Sequence, residues 1–510
     1  RGSPSRTVRS PPIFRPYSNT ASGSVPRHCT LKHAAPAFIL SSPFMSTQGG
    51  KLQSDALGLL STAALTAAYM APALSIYTLL GAMVLQVGVA VGFVMFLALI
   101  MTLPSAVSFG MLARVMPSAG GVYAWARRAL GDSLGLWVGL ATASYYVLTV
   151  IFPPIVFGQF FNEVLKLVGL PESVWTWLVG VLLSLIIAGY VTYRGIVISS
   201  ETAFTMLMTE LVVVVALAFT FIGAAVLNGT FTWAPLLPTA ARGGWSGIFL
   251  ALPLALLAMV CDAVTPTSEE TKDAERTIPL AMVLTCILIG TWYVIGFSAF
   301  AIATTPRELV ELSEQQFATP ITPLAERYWG PFKFLVTVTG MTASIGALVP
   351  CSTAASRVLF AMGRDGTLPR WLGYVEPKTK APWHALHVVF AATVMAVVPV
   401  ALQVGAPQTV AWWGNVFAWF IAVVYIFANL SNVVFYYRFR RRHFHVLWNL
   451  LVPLVGLAAQ CLVVWRVVIV ELWNQGGFGR SSQAFIIAVA IATGIYVHRV
   501  RRRTRHAGPY

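Results

Sequence analysis

Residues 254–282 read LALLAMVCDAVTPTSEETKDAERTIPLAM, which sets one acid, Asp262, and one proline, Pro266, inside an apolar span before leaving it through SEETKDAERTIP. A carboxylate near the centre of a membrane helix costs at least about 2.5 kcal/mol on insertion scales, so such a group faces a cavity or a pathway. The stretch points to a protein that carries something across a membrane.

The rest of the chain supports that reading. Of its 510 residues 57% are hydrophobic and only 10% charged, with a mean hydropathy of +0.74, far too apolar for a soluble protein. A helix needs about 20 apolar residues to cross a hydrocarbon core. Twelve stretches qualify, near 57–80, 84–112, 134–166, 173–193, 201–227, 244–268, 279–304, 331–361, 382–403, 408–437, 446–472 and 481–498. The expected fold class is an all-α polytopic membrane protein with 12 transmembrane helices. Residues 1–56 read as a disordered cytoplasmic tail, 57–437 as a ten-helix core, 438–498 as helices eleven and twelve, and 499–510 as a basic tail. The first 44 residues, rich in Ser, Pro and Arg and free of acids, resemble an organellar transit peptide. The preferred alternative is sequence upstream of a start at Met45.

A net charge of +16 in a soluble domain would raise the question of nucleic acid. Here the charge sits in alternate loops and the C-terminal tail, as in Arg127 and Arg128, Arg438 to Arg442 and Arg499 to Arg505. The positive-inside rule then places both termini in the cytoplasm of a multi-pass plasma-membrane protein with no nucleic-acid partner. Cys29, Cys261, Cys286, Cys351 and Cys461 lie far apart with no CxxC spacing, and His384 and His387 have no acidic or Cys companion. Neither a disulfide framework nor a metal site is expected. Nothing resembles a GxxxxGK[ST] phosphate loop, so no cofactor is expected and energy must come from a proton or sodium gradient.

Span one carries Pro72 in its middle, and span six carries Pro253 and Pro266. Proline removes a helix hydrogen bond, and the freed carbonyls need neighbours, water or ligand. Interrupted spans five helices apart point to an inverted-repeat transporter site.

Three loop motifs resemble the amino acid, polyamine and organocation (APC) superfamily of permeases. The first is Met116-Pro-Ser-Ala-Gly120-Gly121-Val-Tyr123-Ala-Trp125. The second is Ser268-Glu269-Glu270-Thr-Lys-Asp273 with Thr277-Ile-Pro279, and the third runs from Ser356-Arg357 to Arg364-Asp365-Gly366 and Leu368-Pro369. The resemblance implies a leucine-transporter-type fold, with helices one to five and six to ten as inverted repeats around broken helices 1 and 6. It also implies secondary transport of an amino acid or related amine by alternating access. A polyamine or other organocation permease or exchanger is the alternative, and a non-transporting sensor on the same fold a more distant one. Clustered catalytic residues at an interface are not visible, so an enzyme is not expected.

Carried over position by position, the implied substrate site holds Tyr69, Met70, Ala71, Pro72 and Ala73 in helix one. In helix six it holds Leu256, Val260, Cys261 and Asp262, and Tyr145 of helix three is a candidate aromatic wall. Where the family has a glycine-rich turn in helix one, and an aromatic and a glycine in helix six, this chain has Tyr69 to Ala73, Leu256 and Val260. Gly120, Gly121, Tyr123, Glu269, Glu270, Arg357, Arg364 and Asp365 form the family motifs, read as a cytoplasmic gate or as ordinary loop ion pairs. Arg194 is grouped with them.

Asp262 lies about 10 Å of helix rise from Glu269, and Glu210 lies about 14 Å from Glu201, both inside the hydrocarbon layer. Glu210 follows Arg194 by sixteen residues, a spacing at which some proton-coupled relatives carry a lysine in place of sodium. Burial disfavours an ionised carboxyl group, so Glu210 or Asp262 is expected to couple transport to proton uptake. The alternatives are that Glu210 bonds a neighbouring helix and that Asp262 caps the second half of helix six.

Overall fold

A computed structural model describes residues 51–315, 321–465 and 476–506. The tail reading for residues 1–50, with Cys29, and the part of span eleven that includes Arg466 lie outside the described residues. Everything described is helix and connecting turn, apart from one isolated bridge between Leu57 and Thr271. Among the described residues ten helices are long and apolar enough to cross a membrane, and two shorter apolar ones cover Gly244–Ala258 and Leu447–Val463.

Span one is two helices, α1 (Leu59–Met70) and α2 (Pro72–Val87). The hinge residue Ala71 has φ 53° and ψ 68°, a left-handed conformation that costs a residue with a Cβ roughly 1–2 kcal/mol. Two features hold it there. Its N–H reaches back to the carbonyls of Ala67 and Ala68, both at 3.1 Å, and Pro72 starts α2 at the position where a missing N–H is harmless. The span extends to Val87, past the expected end at 80. Gly88, at φ +68°, closes α2 with a bond to the Val84 carbonyl and sets the turn into α3 (Val91–Val115).

After α3 come α4 (Val122–Leu130), α5 (Asp132–Thr149), α6 (Phe152–Leu167), α7 (Val174–Tyr193) and α8 (Ile196–Leu227). Glycines let α6 and α7 meet closely: a Cβ built on Gly180 would stand 2.9 Å from the Gly158 Cα, the small-residue contact that membrane helices use in place of hydrophobic burial.

Helix six departs from expectation. The α-helix α9 covers only Gly244–Ala258, residues 259–264 are irregular, and Thr265–Glu270 forms a tight 3-10 turn. The expected span to 268 ends ten residues early. Pro266 brings no N–H, and the hydroxyls of Thr267, Ser268 and Thr271 bond back to the carbonyls of Val264, Thr265 and Thr267 at 2.9, 2.5 and 3.0 Å, competing with α-helical bonding.

The chain continues through α10 (Ala274–Ala301), short α11 (Pro306–Gln315) and α12 (Ile321–Trp329), α13 (Phe334–Arg364), α14 (Trp383–Val404), α15 (Ala406–Phe439), α16 (Val452–Val463) and α17 (Gly476–His506). Two short helices, α11 and α12, thus stand between spans seven and eight, and α17 runs on into the residues read as a basic tail. Residues 51–56, grouped with the disordered tail in the sequence reading, are tied down. Leu52 is buried with Ala119, Phe360, Ala361 and Val375, and the N–H groups of Ala56 and Leu57 donate to the Glu270 carbonyl at 2.8 and 3.0 Å.

At the centre stands α13, packed against α1, α5, α6, α7 and α8. A buried polar seam joins α3, α15 and the approach to α16. Asn429 donates to Ser105 at 3.0 Å, Asn432 to Ser108 at 2.9 Å, and Asn449 to Asn432 at 3.3 Å. All five side chains are buried, and amide and hydroxyl pairs of this kind hold membrane helices in register.

Candidate functional site

The break at Ala71 and the unwound segment after Ala258 meet the same cavity, of about 300 Å³. Its floor is Tyr69, Met70, Ala71, Val260, Thr149 and Cys351, and it runs along α2 through Ser75 and Thr78 as far as Gln86. Phe152 of α6 and Phe417 of α15 stand in the wall, 5.3 Å apart between ring centroids. No Asp, Glu, Lys or Arg lines the cavity.

Of the expected substrate residues, Tyr69, Met70, Ala71 and Val260 line this space. Pro72, Ala73, Leu256 and Cys261 are packed away from it, and Tyr145 and Asp262 stand one layer behind Tyr69. Sequence reasoning missed Thr149, Phe152, Cys351 and Phe417, which carry no local signal, since an aromatic or a cysteine in an apolar span is ordinary packing. It also missed Tyr425, which has one: Tyr425, Asn429 and Asn432 follow an i, i+4, i+7 spacing, a polar stripe on one face of a buried helix.

Asp262 is fully buried and held by tyrosines. Tyr145 donates to Oδ1 at 2.7 Å, Tyr425 to Oδ1 at 3.2 Å and Tyr146 to Oδ2 at 2.7 Å. The second half of helix six starts after Val264 with no side-chain cap, so the capping role considered for Asp262 is not the one it plays. Tyr145 in turn meets the Tyr69 hydroxyl at 3.0 Å and stacks on Phe417 at 5.6 Å.

Glu210, on α8, is 2% exposed. It stands beside the backbone N–H of Ala73 in the first turn of α2, where orphan N–H groups and the helix dipole favour a carboxylate. Its Oε2 has no hydrogen-bond partner. The Met70 carbonyl freed by the break accepts from Tyr293 and, at 3.0 Å, from Ser75.

On the other side of the break the family-motif residues converge. Counting from Cys351 along α13, Arg357 and Arg364 lie about 9 and 20 Å beyond the cavity. Arg357 forks onto Glu270, Nε to Oε2 at 2.9 Å and Nη2 to Oε1 at 3.2 Å, with the two side chains 1% and 0% exposed. Arg364 forks onto Glu269 with two bonds of 2.8 Å in a half-exposed setting. Burial alone would raise the Glu269 carboxyl, but the Arg364 bonds and charge, with the Ala119 N–H, hold it below the usual glutamate range.

Asp365 accepts from Tyr123 at 3.3 Å and lies 3.8 Å from Arg127. Gly121, at φ +48° and ψ −125°, opens α4 against Thr265, leaving no room for a side chain. Gly120 contributes its N–H to Ser118 at 3.2 Å. Arg194 is not part of this group; it lies over the Tyr190 ring. Among the described residues no group of His, Cys, Asp and Glu has a metal-binding arrangement. His384 is bonded to the Trp371 carbonyl and stacked on Tyr374.

The chain is 28% identical over 324 residues to the low-affinity putrescine importer PlaP of Escherichia coli (strain K12), covering 59% of this chain and 65% of the importer. It is 25% identical over 320 residues to the branched-chain amino acid permease BcaP of Lactococcus lactis subsp. cremoris, covering 60% and 67%. To the methylthioribose transporter of Bacillus subtilis it is 25% identical over 295 residues, covering 52% and 58%. The matched stretch thus takes in slightly less than two thirds of the putrescine importer. Residues 57–496 match the family model described as amino acid permease, and the chain belongs to that family.

Proposed function

We propose that the protein is a secondary active transporter that moves an amino acid or a related amine by alternating access and couples that movement to protons. In this reading twelve spans cross the membrane, helices one to five and six to ten form inverted repeats, and both termini are cytoplasmic. The observation that carries the proposal is the cavity, which touches both helix breaks and extends to one side only, while two forked ion pairs close the other. With the cytoplasmic orientation drawn from the Arg and Lys distribution, the cavity faces outward and the ion pairs form the inner gate. A closed inner gate and an open outer cavity are one half of an alternating-access cycle.

Glu210 suits the coupling role better than Asp262. Three hydroxyl donors surround the Asp262 carboxylate, whereas Glu210 stands near one backbone N–H, with an orphan oxygen and no ion pair among the described residues. A proton on that oxygen removes the cost of holding the charge in the membrane.

The cavity also favours an amino acid over a diamine. A dication brings a second ammonium group, and the lining offers no carboxylate to meet it. The test is purified protein in liposomes given labelled L-leucine and putrescine under imposed proton and sodium gradients. Leucine accumulation under a proton gradient is expected, lost in Glu210→Gln while leucine exchange persists. If nothing moves under any gradient, the proposal is wrong.

A further inference from the structure

The hydroxyl network behind the cavity has a direction, and its bearing on substrate recognition rests on the transport reading. A carboxylate can only accept hydrogen bonds. Tyr145, Tyr146 and Tyr425 therefore each commit their single proton to Asp262. The Tyr145 oxygen is left with lone pairs, so the Tyr69 hydroxyl, 3.0 Å away, is the donor between them. Thr149 stands beside Tyr69 and directs its own proton to the Tyr146 carbonyl at 2.7 Å.

Tyr69 and Thr149 both line the cavity. With their protons turned into the wall, they face it with lone pairs alone. The other titratable groups set against Asp262 are Cys261 on its own segment and Cys351 on α13. No Lys or Arg pairs with it among the described residues.

We propose that Tyr69 is the ammonium-recognising residue of the cavity, accepting an N–H from an alkylammonium substrate, and that Asp262 is a positioning residue that keeps the hydroxyl chain in this polarity through Tyr145. The negative charge stays in the wall, where it attracts a cation without meeting it. This arrangement recognises an ammonium group with no acid in the cavity itself.

The same chemistry occurs in an amino acid and in a simple amine, and three probes separate the sources. They are L-leucine, 3-methylbutylamine, which lacks the carboxylate, and 4-methylpentanoate, which lacks the ammonium. Affinities are measured at constant pH on the full chain in lipid nanodiscs, and uptake in liposomes. Tyr69→Phe is expected to weaken leucine and 3-methylbutylamine about tenfold, the loss of one charge-assisted hydrogen bond, and to leave 4-methylpentanoate unchanged.

Asp262→Asn should weaken the same two probes, and the double variant should lose less than the product of the single losses, because both act on one chain. Equal weakening of all three probes by Tyr69→Phe, or independent losses in the double variant, overturns the relay. Where Asp262→Asn does not fold, the probe split in Tyr69→Phe decides alone. If the wild-type protein accumulates none of the probes under any gradient, the transport reading falls and the relay with it. If it accumulates leucine or the amine and Tyr69→Phe preserves discrimination, only the relay falls.

Discussion

Replacing Glu270 by Gln tests whether the buried ion pair holds one end of the bundle shut. Arg357 makes two bonds to Glu270, at 2.9 and 3.2 Å, and one to Ser356 at 3.1 Å. Both charged side chains are excluded from solvent. Removing one partner of such a pair leaves an uncompensated buried charge, a penalty of about 3–5 kcal/mol. The pair joins the Thr265–Glu270 turn to α13, so the penalty falls on the state in which those elements are packed together. At about 1.4 kcal/mol per decade, the balance moves toward the separated state by roughly two to three and a half decades.

Cys351, which lines the cavity, reports the change. In inside-out vesicles, its labelling by a membrane-impermeant maleimide should rise at least about 100-fold in Glu270→Gln. Glu270→Met combined with Arg357→Met should return to within about tenfold of wild type, since an apolar pair of similar volume carries no stranded charge. A rise below about threefold in Glu270→Gln, the size expected of an exposed pair, would refute the reasoning.

Gly121→Ala forces a Cβ into a left-handed backbone with Thr265 Oγ1 3.0 Å away. It should lower stability by about 1–3 kcal/mol, read as a depressed unfolding temperature in detergent, and wild-type stability would contradict the backbone argument. Glu269 is held below its ordinary range by Arg364 and the Ala119 N–H against the opposing effect of burial. Its contribution is therefore full above the ordinary glutamate range and is lost as pH falls through the lower folded-state value. The stability advantage of wild type over Glu269→Gln, no more than about 1 kcal/mol for a pair this exposed, should vanish at acidic pH. An advantage that grows on acidification would reverse the assignment.

Prolines announced both breaks, and the charged motif residues announced the cluster beyond the cavity, because these residue types have few uses inside an apolar helix. Their positions were less legible. Pro72 marked the first break to within one residue, since Pro suits the first position of the new helix. Pro253 and Pro266 bracketed the second without fixing it, because α9 ends between them at Ala258 and the hydroxyls of Thr267, Ser268 and Thr271 decide the geometry beyond it. The residues missing from the family pattern, Leu256 and Val260, hid the aromatic wall, which comes instead from Phe152 and Phe417 on other helices. Asp262 and Glu210 were visible as acids in apolar spans. What distinguishes them, three hydroxyls against one N–H and an orphan oxygen, depends on residues more than a hundred positions away.

The polar seam of α3 also sets a timetable for biosynthesis. Ser105 and Ser108 bond Asn429 and Asn432, each 324 residues later in the chain. At about 5–20 residues per second, 324 residues take roughly 16–65 s to be made. Through that interval the two serines have only the carbonyls of their own helix to bond. A ribosome stalled short of Asn429 therefore leaves an inserted helix whose two serines still lack their interhelical partners, so a polar stripe faces lipid until the finished chain covers it.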